Sequence, residues 1–457
     1  MTAAGQDHAA GLLEIAAHWC AESRRLGAEF AQAFVEASED VRLDAVLAGG
    51  QARRTAVLVQ RRYGAGLLLR HRGAWWYGAA PLAQPDDLAA RLAAVPGLGS
   101  PRPARPWPEA GPARAGGLEW DGMPSAAAAG DGGARVQFIQ DYFRQHRAVA
   151  DSAGVHRSWQ VGGGRQRAAA TVLADGWRAR CFTRRAGPRW GEPGTAAELA
   201  GSAAELVSAA AERARDQVTA RSMGRRSTPV VFAPAVGAAL LHELIGHALE
   251  ADNFATGSAY TAGLAGATLC GAPLDLADDP TLAGGFGSMP ADDDGQPCQY
   301  TPLVERGTVV GQLGCVRSAY GSPGDRNGSG RRQGYPSASL PRASNTIVLA
   351  GPDRPAALAE PPPGGLLYVT ALSSGEISLH RGEFSFSASE SYYLTGAGRW
   401  PLADVNLSGD ARAALAQLEG IADDVAGDNV TCGKQGQSVP IGLYSPTMRF
   451  GQLTWWS

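Results

Sequence analysis

Apolar residues recur at helical spacing over residues 11–39, with Leu12, Leu13, Ile15 and Ala16 followed by Leu26, Phe30 and Phe34, and this predicts a helix pair or one long helix. From 41 to 80 the pattern shifts to short alternating runs at 55–59, 65–69 and 75–78, separated by Gly-bearing turns, which predicts antiparallel strands. Residues 81–133 are rich in Pro, Gly and Ala and carry one short helical pattern at 85–94, so they predict either a surface excursion or a poorly ordered insertion. Alternation resumes over 155–182, and 195–221 is an Ala-rich helical segment. An apolar strand at 229–233 and a helix over 234–252 open the second half. Many short strands punctuated by turns follow, with helical character returning only at 410–426. Helices gathered at a few places and strands elsewhere predict an α+β protein with mostly antiparallel sheets, not a wound βαβ fold.

Length and composition sharpen this picture. A chain of 457 residues exceeds what one core usually organises, so two domains are expected, 1–224 and 225–457, divided near 222–227 where helical periodicity stops. The 41 basic against 44 acidic residues leave a net charge of −3, which argues against a nucleic-acid binder. No apolar run approaches the ~18 residues of a membrane span. The start Met1-Thr-Ala-Ala-Gly-Gln-Asp-His8 lacks a basic region, and no cleavage-site pattern follows the apolar stretch after it, so no signal peptide is expected. Six scattered cysteines suggest no disulfide framework, and the protein reads as cytoplasmic. Of the basic residues 40 are Arg and one, Lys434, is Lys. That ratio fits the codon bias of a GC-rich genome, under which a retained lysine marks either chance or a need for an ammonium group.

The chemistry concentrates in Leu241-His242-Glu243-Leu244-Ile245-Gly246-His247-Ala248-Leu249-Glu250-Ala251-Asp252, which holds two of only eight histidines. It is similar to the His-Glu-x-x-His of zinc proteases, in which the histidines bind metal and the Glu is the general base. The spacing here is longer by one. On an ideal helix residues five apart end about 140° away from each other around the axis, so the imidazoles diverge. A single π-turn, or a helix ending at His247, would bring them back together, and Gly246 is a suitable place for the backbone to loosen. Without such a device the two are ordinary helix histidines. A third protein ligand is also needed. Glu250 and Asp252 are near in sequence, while Cys432 sits in the polar turn Thr431-Cys432-Gly433-Lys434-Gln435-Gly436-Gln437, where Lys434 would favour a thiolate. The run Asp292-Asp293-Asp294-Gly295 lacks the alternating acids of a calcium loop and reads as a hairpin turn.

Taken together, the helix His242-Glu243-x-x-x-His247-x-Leu249-Glu250-x-Asp252 and the late Cys432-Gly433-Lys434-x-Gly436-Gln437 resemble the signature of the TldD/PmbA family of metallopeptidases. So do Gly330-Arg331-Arg332-Gln333, Pro341-Arg342-x-x-Asn345-Thr346 and Gly382-Glu383-Phe384-Ser385-Phe386, with a looser match at Tyr63-Gly64-Ala65-Gly66 and Gly73-Ala74-Trp75-Trp76. The resemblance implies a two-domain α+β subunit that forms a heterodimer with a homologous TldE/PmbA-type subunit around an enclosed cavity. It implies one Zn2+ per catalytic chain on His242, His247 and Cys432, with Glu243 as general base. Arg331 and Arg332, in the glycine-rich loop 327–334, and Lys434 are the substrate-binding candidates. For Arg332 a solvated loop is the preferred reading. Substrates would be unfolded or modified peptides. A second reading keeps the metal and makes the substrate a small-molecule conjugate, an amide or glycoside of bacterial secondary metabolism. A third, a non-catalytic partner or DNA-associated regulator, is opposed by the intact His, Glu and Cys positions and by the charge.

Overall fold

The computed structural model describes residues 3–102, 124, 126–130, 133–174, 177–187, 195–255, 257–318, 320 and 326–457. Most of the excursion expected at 81–133 lies outside these residues. Its short helix is present as Pro85–Ala93, begun by a proline at the first turn.

The first half is one sheet with helices against it. Helix α1 (Ala3–Arg25) leads into β1 (Phe30–Ala48), β2 (Gln51–His71) and β3 (Ala74–Pro81); helix α2 (Pro85–Ala93), β4 (Arg135–Asp151), β5 (His156–Ala174), β6 (Trp177–Gly187) and helix α3 (Thr195–Asp216) follow. The six strands pair antiparallel in the order β3-β2-β1-β4-β5-β6. Residues 26–39 therefore do not continue a helix. Phe30 to Ser38 are all buried, on both faces of the sheet, so alternation is lost and the run imitates a helical pattern. Likewise the runs at 55–59 and 65–69 are parts of one 21-residue strand, and a further strand, Arg135–Asp151, precedes the alternating run at 155–182. Leu12, Ala16 and Trp19 of α1 pack on Ala33, Val35 and Leu67, whereas α3 covers Leu43, Phe138 and Ala170 further along.

The second half holds β7 (Arg226–Phe232), α4 (Val236–Leu241), α5 (Ala251–Phe254), β8 (Leu276–Asp278), β9 (Thr301–Glu305), β10 (Thr308–Val309), β11 (Gly330–Arg331), β12 (Leu340–Pro341), β13 (Asn345–Val348), α6 (Pro355–Leu358), β14 (Leu366–Ser378), β15 (Glu383–Thr395), β16 (Gly398–Leu402), β17 (Asn406–Asp410), α7 (Ala411–Ala416), β18 (Leu418–Ile421), β19 (Ala426–Lys434), β20 (Gln437–Ser445) and β21 (Met448–Trp456). One sheet runs β10-β9-β8-β13-β20-β19. Another runs β14-β7-β21-β17-β15-β16 and closes on itself through β14–β15. Among the strands of the described residues only β13–β20 and β7–β14 pair parallel, apart from isolated bridges, so the protein is α+β with mostly antiparallel sheets. The helix expected at 410–426 is only Ala411–Ala416, capped by the Asp410 carboxylate accepting from Ala413 N; the following residues turn into β18 and β19. No helix among the described residues is long and apolar enough to cross a membrane.

The halves are tied by buried contacts. The Asp292–Gly295 turn is closed by an Ala291–Pro297 bridge, and Asp293 accepts from Arg147 of β4 at 2.5 Å. Arg332, almost fully buried, lies 4.2 Å over the Phe34 ring of β1 and donates to the Asp293 carbonyl at 2.9 Å.

Candidate metal centre

Helix α4 starts against β20 and β21. Ala235 holds a left-handed φ of 70°, fixed by its N–H donating to Ser445 O, while Ser445 Oγ accepts from Ala238 N in place of a capping residue. At Gly237 any Cβ would meet Met448 Sδ at 2.6 Å, so the helix can approach β21 only without one. From His242 to Gly246 the backbone widens into a π-turn, tightens to a 3-10 turn at His247–Leu249, and breaks at Glu250, which is extended. The 234–252 helix of the sequence pattern is thus three turns of different pitch. The π-turn offsets the extra residue between the histidines and lays their rings 4.6 Å apart, centroid to centroid. A Cβ at position 246 would meet the His242 ring at an ordinary 3.5 Å, so the turn does not require glycine there.

Cys432, on the edge strand β19, completes the group. Its Sγ lies 3.4 Å from His242 Nε2 and 3.4 Å from His247 Nε2, all three side chains being buried. Zinc bonds of ~2.3 Å to sulfur and ~2.0–2.1 Å to nitrogen at tetrahedral angles place N and S about 3.5 Å apart, which is the separation found. The two Nδ1 atoms are engaged elsewhere: His242 Nδ1 with Thr346 Oγ1 at 3.0 Å, His247 Nδ1 with Glu250 Oε2 at 2.9 Å. Both Nε2 atoms therefore face the thiol, the arrangement in which outer partners orient a ligating imidazole.

The electrostatics agree with this geometry. Burial pushes the Cys432 thiol up, but His242 and His247 outweigh it and carry the group well below the usual thiol value. Burial instead raises the Cys20, Cys181, Cys270, Cys298 and Cys315 thiols, those of Cys20 and Cys315 to about 11. Burial alone would lower His247, yet the Glu250 carboxylate and the Cys432 thiolate lift it well above the ordinary value. Both shifts run in the direction that favours an imidazolium–thiolate pair, from which an entering cation would displace the proton. A thiolate and two imidazoles, pre-oriented and buried, fit zinc.

Behind His247 lies a second group of charges. Glu250 is fully buried; burial would raise it, but His247 and Lys434 hold it at about 2. Lys434 Nζ donates to Glu250 Oε2 at 2.9 Å, Asp252 Oδ1 at 2.6 Å and Pro341 O at 3.1 Å. Lys434 therefore contacts the support of the site, not the open space before it. Arg331 and Arg332 are also buried, Arg331 donating to Ala343 O at 2.8 Å. Among the described residues the cation next to the thiol is Arg342, whose Nη2 reaches Cys432 O at 2.7 Å and Sγ at 3.2 Å. Arg342, Thr346 and Glu250 were quoted in the sequence motifs without these roles. Only the three-dimensional placement of β12, β13 and β19 around the histidines reveals them.

Glu243 turns the other way, into a cleft of about 370 Å³ that His242 and Cys432 also line. Its Oε2 lies 3.9 Å from His247 Nε2, and burial raises its carboxyl above the ordinary value.

A profile described as the PmbA/TldA metallopeptidase C-terminal domain matches residues 225–456, half of the chain, and its span contains His242, Glu243, His247, Glu250, Arg342, Thr346, Cys432 and Lys434. The chain belongs to the PmbA/TldD family. It is 30% identical over 229 residues to the metalloprotease TldD homolog of Buchnera aphidicola, covering 50% of this chain and 47% of that protein. It is 31% identical to the one from Haemophilus influenzae with the same coverage. The chain thus spans about half the length of the curated relatives it matches. The crystal structure of TldE from Thermococcus kodakarensis superposes with a TM-score of 0.71 over 96% of this chain and 99% of that one at 14% identity, a likeness of fold.

Proposed function

We propose that this PmbA/TldD-family chain is a zinc-dependent hydrolase, a metallopeptidase that cleaves unfolded or modified peptides in a cavity it shares with a homologous subunit. The observation that carries the reading is the meeting of His242 Nε2, His247 Nε2 and Cys432 Sγ at 3.4 Å contacts beside the Glu243 carboxylate. Three protein ligands leave a fourth position for water or substrate, the pattern of a catalytic zinc. Bound there, zinc would act as a Lewis acid and bring the pKa of water down to about 7. Glu243, raised by burial toward the working pH, takes the proton from the attacking water and returns it to the leaving amine. Thr346 and Glu250 hold the imidazoles in one orientation throughout, and Lys434 keeps Glu250 ionised.

A homologous TldE-type subunit would enclose the cleft, so that only extended or small substrates enter. All six cysteines are free, which accords with action in the cytosol. The test is metal content and turnover of the protein purified with its partner. About one zinc per chain is expected, with activity lost on chelation and regained with zinc. Full activity in metal-free protein would refute the proposal. A chain that cleaves at full rate as a clean monomer in light scattering would refute the shared cavity.

A further inference from the structure

Part of the metal cleft's lining comes from the other half of the chain. Arg165 and Arg167 of β5 and Arg184 of β6 line the same cleft as His242, Glu243 and Cys432. Arg165 and Arg167, two residues apart, share a face of the strand, and Arg184 stands directly opposite Arg167 in the β5–β6 register. Like charges directly opposite on paired strands are destabilising. Codon bias explains why these cations are arginines, not why three of them crowd one face.

Two carboxylates partly compensate them. Arg165 and Arg167 both donate to a single oxygen, Asp141 Oδ2, at 3.1 and 2.8 Å, and Arg184 Nε reaches Asp428 Oδ1 at 2.6 Å. On this wall, apart from the Glu243 carboxylate beside the metal group, three guanidinium groups share two carboxylates, and among the described residues neither Arg165 Nε nor Arg167 Nε has an acceptor. Arg165 Nη1 donates to Thr431 Oγ1 at 2.9 Å, one residue before Cys432, so this cation sits at the edge of the metal group. Burial and the neighbouring Arg167 charge also pull Arg165 below its ordinary range, as expected where positive charge is under-compensated. At about 3.3–3.6 Å per extended residue, a cleft of 370 Å³ holds only a few residues of substrate.

We propose that Arg165, Arg167 and Arg184 form an anion subsite of the metal cleft that selects substrates carrying a carboxylate within a few residues of the bond attacked. The proposal names the substrate class of the hydrolase proposed above and rests on that reading. The carboxylate has two sources, an acidic side chain or the C-terminus of the peptide. Guanidinium forks suit either.

The test is fluorescence anisotropy with the zinc-loaded complex of chain and partner carrying Glu243→Gln, so that peptides bind without turnover. Three labelled peptides of equal length are compared: one neutral and C-amidated, one with a Glu side chain and C-amidated, one neutral with a free C-terminal carboxylate. One of the two carboxylate peptides is expected to bind about tenfold tighter than the neutral one, the size of a charged hydrogen-bonded contact, and which one identifies the source. Arg165→Gln and, separately, Arg184→Gln, whose side chain is one-third exposed, should bring that ratio close to one, and rising salt should shrink it in the parent complex. Equal affinity for all three peptides, or a ratio unchanged in the folded variants, overturns the subsite. Hydrolysis by the complex with Glu243 intact is assayed separately. A charge preference without any hydrolysis would refute the peptidase reading and leave the subsite standing.

Discussion

The single lysine offers the sharpest test of how the centre is built, through Lys434→Arg. In a chain where 40 of 41 basic residues are arginine, this swap would pass for conservative. The structure says otherwise. One ammonium nitrogen meets three acceptors, Glu250 Oε2, Asp252 Oδ1 and Pro341 O, at 2.9, 2.6 and 3.1 Å, one for each N–H. A planar guanidinium spreads its donors over a fork and cannot point three of them at acceptors gathered around one atom. Its extra bulk must also fit where the lysine side chain is only 7% exposed. Removing one partner of a buried pair costs about 3–5 kcal/mol. Asp252 is 22% exposed and so partly solvated, and arginine keeps the charge, so we expect about 2 kcal/mol for Lys434→Arg and about 3 kcal/mol for Lys434→Met in the metal-free protein. Partners behind a ligand are worth about 10–100-fold in metal affinity. Lys434 acts one step further back, through Glu250, so zinc should bind both variants about 3–10-fold more weakly. Denaturant titration of the apo-protein and a competition titration against a chromophoric chelator measure the two effects. If Lys434→Arg unfolds at the parent midpoint and binds zinc within a factor of two while Glu250→Gln does not, ammonium geometry is not what holds Glu250, and the argument fails.

Glu243→Gln should keep its zinc and lose turnover by roughly 10²-fold or more, measured by metal analysis beside single-turnover kinetics; equal loss of metal would make it a ligand instead of the base. Cys432→Ser should abolish zinc retention in dialysis against a weak chelator, whereas Cys270→Ser and Cys315→Ser, whose thiols burial raises, should retain it. A reversal of that order would exclude Cys432 as the third ligand. Burial raises the Asp278 carboxyl from an ordinary 3.8 to about 7, so the native metal-free protein holds a proton that the unfolded chain has already released. Its contribution to stability is present below 3.8 and falls as pH rises towards about 7. Asp278→Asn should therefore lose less stability than the parent between about pH 4 and 7 in urea unfolding, and parallel curves would contradict this.

Local pattern was enough for some of this protein. The apolar spacing of α1, the Ala-rich α3 and the proline-started α2 are properties of short windows, and they survive in the structure because one face of each helix packs on the sheet. The α+β class followed from the same windows. The His-Glu-x-x-x-His spacing posed its own geometric problem, and a π-turn at His242–Gly246 is the backbone form that resolves it. Other features depended on what lies across the strand. Phe30 to Ser38 is covered on one face by α1 and on the other by segments distant in sequence, so its periodicity carries no strand signal. The 410–426 region has helical composition, but Leu418 to Ile421 pairs with β21, and tertiary pairing overrides a weak local preference. The same holds for chemistry. Arg331, Arg332 and Lys434 look in sequence like free cations of glycine-rich loops, and each is buried or half-buried on an internal partner. Sequence distance hid the partners. Cys432 stands 190 residues from His242 and 185 from His247, and Arg165 reaches Thr431 across 266. Which thiol faces the imidazoles, and which arginines face the cleft, are set by strand register and by the packing of two halves, and no window of sequence contains that information.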